Sequence, residues 1–329
     1  MKKNKIAILV ILGILAILGI LVTLDIINSR TFNDEPTRIY ISESTTYKKL
    51  CDDIDANIYF RTIACVFGLD KHVRPGSYVI EPHMRNITLF RKLRNGQQNP
   101  IRLTIGKFRT PQQLNEYLNT KLMHNDFNVT LDSFYIILPD TYEFYWTVTP
   151  EQFMQRMDNE FTKFWGRDEV GPDGELRVDY IECSDNFDYS VKNIIILASI
   201  VEEETNNNQE KPQIASVYIN RLERGIPLQA DPTVKYAVGD FTLRRILNKH
   251  LAVDSPFNTY LHTGLPPAPI CLPSKTTIEA VLNAPETNYL YFCASDKMDG
   301  THRFATTLDE HNRNAARFHH ALNELGIKK

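Results

Sequence analysis

The chain has 329 residues, 43% hydrophobic and 23% charged, with a formal net charge of -3 at pH 7. That length and apolar content suffice for one large domain or two of ordinary size, and the near balance of charge excludes the strongly basic surface of a nucleic-acid-binding protein. The five cysteines, Cys51, Cys65, Cys183, Cys271 and Cys293, lie far apart and form no CxxC pair or zinc-spaced Cys/His cluster, so they read as isolated residues and not as a disulfide framework.

The N-terminus carries the clearest physical signal. Lys2, Lys3 and Lys5 precede an apolar run from Ile6 to Leu24 that only small Gly and Thr residues interrupt. About twenty such residues cross a bilayer core as a helix, and the basic flank stays cytoplasmic by the positive-inside rule. A cleavable signal peptide would have a shorter apolar region and a small-x-small site, which LVTLDIINSR lacks. The expectation is an uncleaved single-pass anchor in the cytoplasmic membrane over residues 1–28, with everything after it extracytoplasmic.

Residues 36–105 read as a small α/β module. RIYIS is a strand, Ser44-Thr45-Thr46 can cap the helix YKKLCDDI, and Pro75-Gly76 turns into the strand SYVIE. Ile87 to Leu93 forms a second amphipathic helix closed by Asn95-Gly96, and the whole is read as a strand-helix-helix-strand unit. Residues 106–329 then form a larger domain of mixed α+β type. Ile101 to Ile105 is a strand, and Thr110 and Pro111 start the helix PQQLNEYLNTKLM. Pro139-Asp140 makes a turn, Tyr142 to Trp146 is an aromatic cluster, and a helix runs from Thr149-Pro150 to about Phe164. The stretch from Gly166 to Asp188, rich in Gly, Pro and acidic residues, is a loop.

The key stretch is Asn193–Thr205, NIIILASIVEEET. Ile194 to Val201 is apolar on every side, which marks a central buried helix. It ends in Glu202, Glu203 and Glu204. At helical spacing Glu204 shares a face with Leu197, Ile200 and Val201. Desolvation and the negative end of the helix dipole both favour its protonated form, which is the state a general acid needs. A solvated acidic helix end would carry the same residues. After it come the helix QIASVYINRLERG with Gly225 as its cap, and PLQADPTVKYAVG, where Gln229 is exposed and Asp231-Pro232 turns the chain. The five prolines of SPFNTYLHTGLPPAPICLP stiffen a long loop that fixes Asn258 and Thr259. Thr276–Asn283 is a helix, Tyr289 to Cys293 a buried strand, RFAT another strand, and a last helix runs from Leu308 to Leu325. His302, His311, His319 and His320 do not form an organised ligand set, so no metal is assigned.

From about residue 190 the words LASIVEEET, ASVYINRL, PLQADPTVKYA, SPFNTYLHTGLPPAPI, YLYF, DGTHRF and EHN occur in one order. In that order they resemble the YceG-like (MltG) endolytic murein transglycosylases, single-pass bacterial envelope enzymes. The likeness covers a core of residues 190–318, and the preceding module is similar to the family's LysM-like region. The resemblance implies cleavage of the β-1,4 bond between N-acetylmuramic acid and N-acetylglucosamine in peptidoglycan, without water and without a cofactor, leaving a 1,6-anhydro end. In the family's E-x-E-T word the acid falls on Glu204, with Glu202 as second choice, while Glu203 is left as a solvated charge. Asn220, Gln229, Asp231, Asn258, Thr259 and Tyr260 match polar family positions and are expected to bind substrate. Phe257 and Ala268 depart from the common Tyr and Gly. Expected partners are glycan strands, the inner membrane and peptidoglycan synthases. Two alternatives stay open: a water-using muramidase with Asp231 as the second carboxylate, and a non-catalytic glycan-binding scaffold.

Overall fold

The structure is a computed structural model that describes residues 2–69, 73–166, 190–243 and 245–324. The predicted loop after Gly166 and Cys183 therefore lie outside the described residues. The fold is mixed α+β, and its contacts divide it into two compact units, one made mainly of Met1–Leu103 and one mainly of Pro150–Lys329.

In the first unit, α1 (Lys2–Asn28) contains the stretch Val10–Asn28, with a mean hydropathy of 2.8 and none of its residues buried. It is long and apolar enough to cross a bilayer. Then come β1 (Thr37–Ile41), α2 (Tyr47–Asp53), α3 (Ile58–Val66), β2 (Gly76–Ile80) and α4 (Asn86–Asn95). β1 and β2 pair antiparallel with Ile39 opposite Tyr78. Alternation along β1 turns Ile39 and Ile41 onto a core shared with Leu50, Phe60, Ile63, Leu89 and Leu93. The Thr46 hydroxyl caps α2 by accepting from Lys49 N, and Gly96 closes α4 in the left-handed region at φ 66°. The second helix of the strand-helix-helix-strand unit is α3, a segment missing from the sequence expectation. Ile87 to Leu93 belongs to α4, which follows the second strand.

β3 (Ile101–Ile105) pairs with β4 (Asp140–Phe144), and between them in the chain lie α5 (Pro111–Lys121) and α6 (Leu131–Phe134). The expected turn and aromatic cluster at 139–146 is thus largely a strand, whose alternation buries Tyr142 and Phe144 and leaves Tyr145 exposed. α7 (Pro150–Trp165), α8 (Val191–Glu204), α9 (Lys211–Glu223), α10 (Asp231–Val238), α11 (Asn248–Leu251) and α12 (Lys275–Leu282) follow. Asp231-Pro232 opens α10, correcting the simple turn expected there, because proline is tolerated in a first helical turn, where N–H groups have no intrahelical acceptor. A hairpin of β5 (Tyr291–Ala294) and β6 (His302–Ala305) leads into α13 (Leu308–Glu324). The strand expected to be buried over 289–293 is shorter and half-buried throughout. A two-stranded sheet has no neighbouring strand to cover its edges.

Burial is complete along α8 from Ile194 to Val201. These residues pack with Phe161 and Trp165 of α7, Ile214 and Tyr218 of α9, and Ile278 and Val281 of α12. The proline-rich loop is fastened to the same helix. Ile270 N donates to Ser199 Oγ at 3.0 Å and the Cys271 thiol donates to Ser199 O at 3.4 Å. A polar side chain inside an apolar helix thus gives the loop a fixed height along α8.

Candidate active site at the end of α8

The last turn of α8 carries its three glutamates into three environments. Glu202 Oε2 accepts from the buried Lys211 ammonium at 3.1 Å, from Ser274 Oγ at 2.9 Å and from the Thr277 hydroxyl. Burial pushes this carboxyl up. The Thr277 hydroxyl, the Lys211 charge and the Ser274 hydroxyl outweigh it and hold Glu202 below the usual carboxylate range. Such a group is a structural anion and a poor proton donor. Glu203, expected to be solvated, is instead an ion-paired residue only 12% exposed. Its oxygens lie 3.2 Å from Lys107 Nζ and 2.9 Å from Arg109 Nη2. The correction has a simple cause: the segment after β3 runs past the end of α8 and brings two cations that spacing within the helix cannot reveal.

Glu204 is half-buried, and its Oε1 accepts from the Tyr218 hydroxyl at 2.6 Å. Desolvation raises its carboxyl to about 7, helped by the charges of Asp231 and Glu203 and opposed by the Tyr218 hydrogen bond and Lys235. The Tyr218 phenol is itself pushed well above its ordinary value by burial and by Glu204, so it stays a donor. With Oε1 accepting that hydrogen, the acid proton of Glu204 belongs on Oε2. Glu204 lines a cavity of about 690 Å³ together with Thr205, Asn207, Ser295, Thr301 and His302. His302 is held there by Glu210, whose carboxylate accepts from the His302 backbone N–H at 2.8 Å and lies 3.0 Å from Nδ1. His311, by contrast, stacks against Tyr291 with ring centroids 5.4 Å apart.

The other expected site residues separate into two groups. Asp231 is exposed, and its Oδ1 accepts from the Tyr260 hydroxyl at 2.7 Å. Burial, that hydrogen bond and the charges of Asp231 and Glu204 all keep the Tyr260 phenol protonated. Asp231 and Tyr260 are thus electrostatic neighbours of Glu204. Gln229 joins them through Arg221. The buried Arg221 guanidinium donates to Leu228 O at 2.7 Å and to Gln229 Oε1 at 3.3 Å, and lies over the Tyr291 ring. Gln229 is exposed and held at φ 52°, an unusual conformation for a side chain of its kind.

Asn220, Asn258 and Thr259 do something else. Asn220 Nδ2 donates to Thr287 O and Tyr289 O, both at 2.9 Å, and so braces the approach to β5. Asn258 is fully buried, donating to Leu251 O and Val253 O at 2.9 Å while its Oδ1 accepts from Tyr260 N at 3.0 Å. Thr259 Oγ1 is buried against Ala230 N and the Thr233 hydroxyl. Their polar atoms face protein: Asn258 and Thr259 hold the segments that carry Tyr260, Gln229 and Asp231, and Asn220 holds the approach to β5. Sequence reasoning did not single out Tyr218 or Lys211 as site residues. Tyr218 sits on the apolar face of α9, where its ring reads as core and its hydroxyl is hidden. Lys211 is a lysine only 3% exposed, and its one available signal was its place nine residues after Glu202.

The YceG-like family model matches residues 39–317, and the chain belongs to the YceG-like family. Over 135 residues it is 44% identical to an endolytic murein transglycosylase of Bacillus subtilis (strain 168), covering 41% of this chain and 37% of that protein. Over 131 residues it is 35% identical to an endolytic murein transglycosylase of Streptococcus pneumoniae serotype 2 (strain D39 / NCTC 7466), covering 39% of this chain and 24% of that one. The matches therefore span well under half the length of either relative. A crystal structure of a yceG-like protein from Listeria monocytogenes aligns with 85% of this chain and 99% of its own, at 26% identity and a TM-score of 0.49.

Proposed function

We propose that this chain is a membrane-anchored endolytic lytic transglycosylase, a lyase that cuts the MurNAc–GlcNAc β-1,4 bond of peptidoglycan strands and trims or terminates them as they are made. The observation that carries this reading is Glu204: a carboxyl raised to about 7 by desolvation, hydrogen-bonded through Oε1 to Tyr218, on a residue that lines a cavity. Protonated Oε2 gives its proton to the glycosidic oxygen as the C1–O bond breaks. The C6 hydroxyl of the muramic residue then bonds to C1 and its proton returns to the Glu204 carboxylate. The acid is thereby regenerated with no water consumed, and one carboxyl serves both steps, where an ordinary glycosidase needs two. In this scheme Tyr218 steadies the transient carboxylate, Gln229, Asp231 and Tyr260 meet the sugar, Asn258 and Thr259 hold those contacts in place, and Asn220 braces the approach to β5.

Three parts complete the proposal. Residues 1–28 are an uncleaved anchor with a cytoplasmic N-terminus, supported by the exposed apolar length of α1. Residues 36–105 are a LysM-like glycan-binding module, supported by two helices set between a pair of antiparallel strands. Residues 106–329 are the extracytoplasmic catalytic domain organised on the central helix α8, and peptidoglycan synthases are its partners in the membrane. One observation favours a second reading, a water-using muramidase. Asp231 lies near enough to Glu204 to raise its carboxyl, so it could serve as the second carboxylate.

Mass analysis of products from purified glycan strands separates these readings. The full chain should release anhydro-muramic ends, and Glu204→Gln should release none. Ordinary reducing ends would select the muramidase. Binding of strands without any shortening would return the protein to a scaffold role.

A further inference from the structure

Beyond α1, the three most exposed large apolar side chains among the described residues are Val66 at 71%, Ile58 at 69% and Phe32 at 67%. All three belong to the module that α1 enters. Ile58, Thr62, Cys65 and Val66 fall on one face of α3 by helical spacing, opposite the buried Phe60, Ile63 and Ala64. An apolar stripe this exposed is unusual on a soluble surface and marks a contact.

Its position identifies the contact. α1 does not end in a flexible linker. Ser29 O accepts from Asn86 N at 2.9 Å, and Arg30 O accepts from Asn57 Nδ2 at 2.7 Å and from Asn86 Nδ2 at 3.3 Å. The two asparagines are buried and bonded to each other at 3.0 Å. Asn57 is also the cap of α3, accepting from Phe60 N, so the start of α3 is fastened to the end of α1. Next to the cap, the Tyr59 phenol is pushed up by the nearby Asp25, about one turn back inside α1. Asp25 is the first charged residue after the apolar run, the level at which a spanning helix leaves hydrocarbon for headgroups. The first turn of α3, with Ile58 and Tyr59, therefore shares the depth of the headgroups, where tyrosine and partly inserted apolar side chains are favoured.

We propose that the α3 face of Ile58, Thr62, Cys65 and Val66 rests on the lipid surface where α1 emerges, holding the module at a fixed height over the bilayer. This rests on α1 being a membrane anchor, and the test keeps the two apart. The full chain is placed in nanodiscs of phosphatidylcholine and phosphatidylglycerol, with an environment-sensitive fluorophore on Cys65 and a Cys65→Ser preparation subtracted for other thiols. Lipids spin-labelled near the headgroup should quench the probe roughly two-fold more than in the Ile58→Glu/Val66→Glu variant. That variant changes only exposed positions and should keep its circular dichroism and thermal unfolding. Failure of the chain to co-elute with nanodiscs would overturn the anchor and this inference with it. Co-elution with a probe that aqueous iodide quenches as fully as in detergent would overturn the inference and leave the anchor. Self-quenching between copies without lipid quenching would assign the face to a second chain, and would also overturn it.

Discussion

A carboxyl that keeps its proton in the folded protein leaves a thermodynamic trace independent of any substrate. Glu204 moves from an ordinary 4.5 to about 7 on folding, chiefly through desolvation. Between those two values the folded chain binds more protons at this site than the unfolded chain does. Its contribution to stability is therefore fully present below about 4.5, falls as pH rises, and is lost once pH passes about 7. The displacement corresponds to ~3 kcal/mol, an upper bound because Glu204 is half-buried and lines a cavity. Glu204→Gln preserves the shape and still accepts the Tyr218 hydrogen, but it cannot ionise. Urea unfolding of the wild type and the variant, compared from pH 4 to pH 8, cancels every other titrating group. The variant should gain up to ~3 kcal/mol relative to wild type across that range, or ~2–4 °C in Tm per kcal/mol for a domain of this size. Parallel stability profiles for the two proteins would refute the assignment of Glu204 as the desolvated acid.

Three further outcomes follow from the same contacts. Lys211→Met leaves the Glu202 carboxylate partly buried without its cation and should cost ~3 kcal/mol by denaturant unfolding, a loss that a partnering Glu202→Gln reduces. Tyr218→Phe removes the donor that holds Glu204 down. The alkaline limb of the pH–rate profile should then move above about 7 while the maximal rate of anhydro-product release falls roughly ten-fold. Asn258→Ala abandons two buried carbonyls and the Tyr260 amide, so it should cost ~2 kcal/mol in thermal unfolding and lower activity through displaced Tyr260.

Much of this architecture was legible wherever a feature is local. The apolar length of α1, the continuous apolar surface of α8, and the glycine after α4 each express one dominant physical requirement within a few residues. α3 escaped because IYFRTIACV mixes β-branched and aromatic residues in a short stretch, and its cap is an asparagine fastened to α1. β4 escaped because DTYEF follows a Pro-Asp pair and is crowded with aromatics, so its two-residue alternation is hard to separate from a cluster. The site divides in the same way. Facial spacing along α8 was enough to nominate Glu204, since desolvation follows from which side of the helix a residue occupies. The fates of Glu202 and Glu203 were not accessible that way. Their partners arrive from the next helix α9, from α12 and from the segment after β3, none of them within α8 itself.

That division also says what singles out one glutamate among three. Helix position alone gives Glu202, Glu203 and Glu204 a similar end of α8 and similar partial burial. Glu202 meets a buried ammonium and two hydroxyls, and Glu203 meets an ammonium and a guanidinium. Glu204 accepts from a phenol that is itself hard to ionise, and Lys235 acts on it only through space. The cation-paired neighbour is not a bystander, because the charge on Glu203 is one of the influences that keep the proton on Glu204. The raised carboxyl of Glu204 is therefore a property of the whole turn. Neutralising Glu203 by Glu203→Gln should lower the Glu204 carboxyl slightly, pulling the alkaline limb of the rate profile down in pH, although residue 203 donates nothing to the substrate. The opposite direction of shift would mean that freeing Lys107 and Arg109 lets other anions approach, and that Glu203 shields Glu204 more than it repels it.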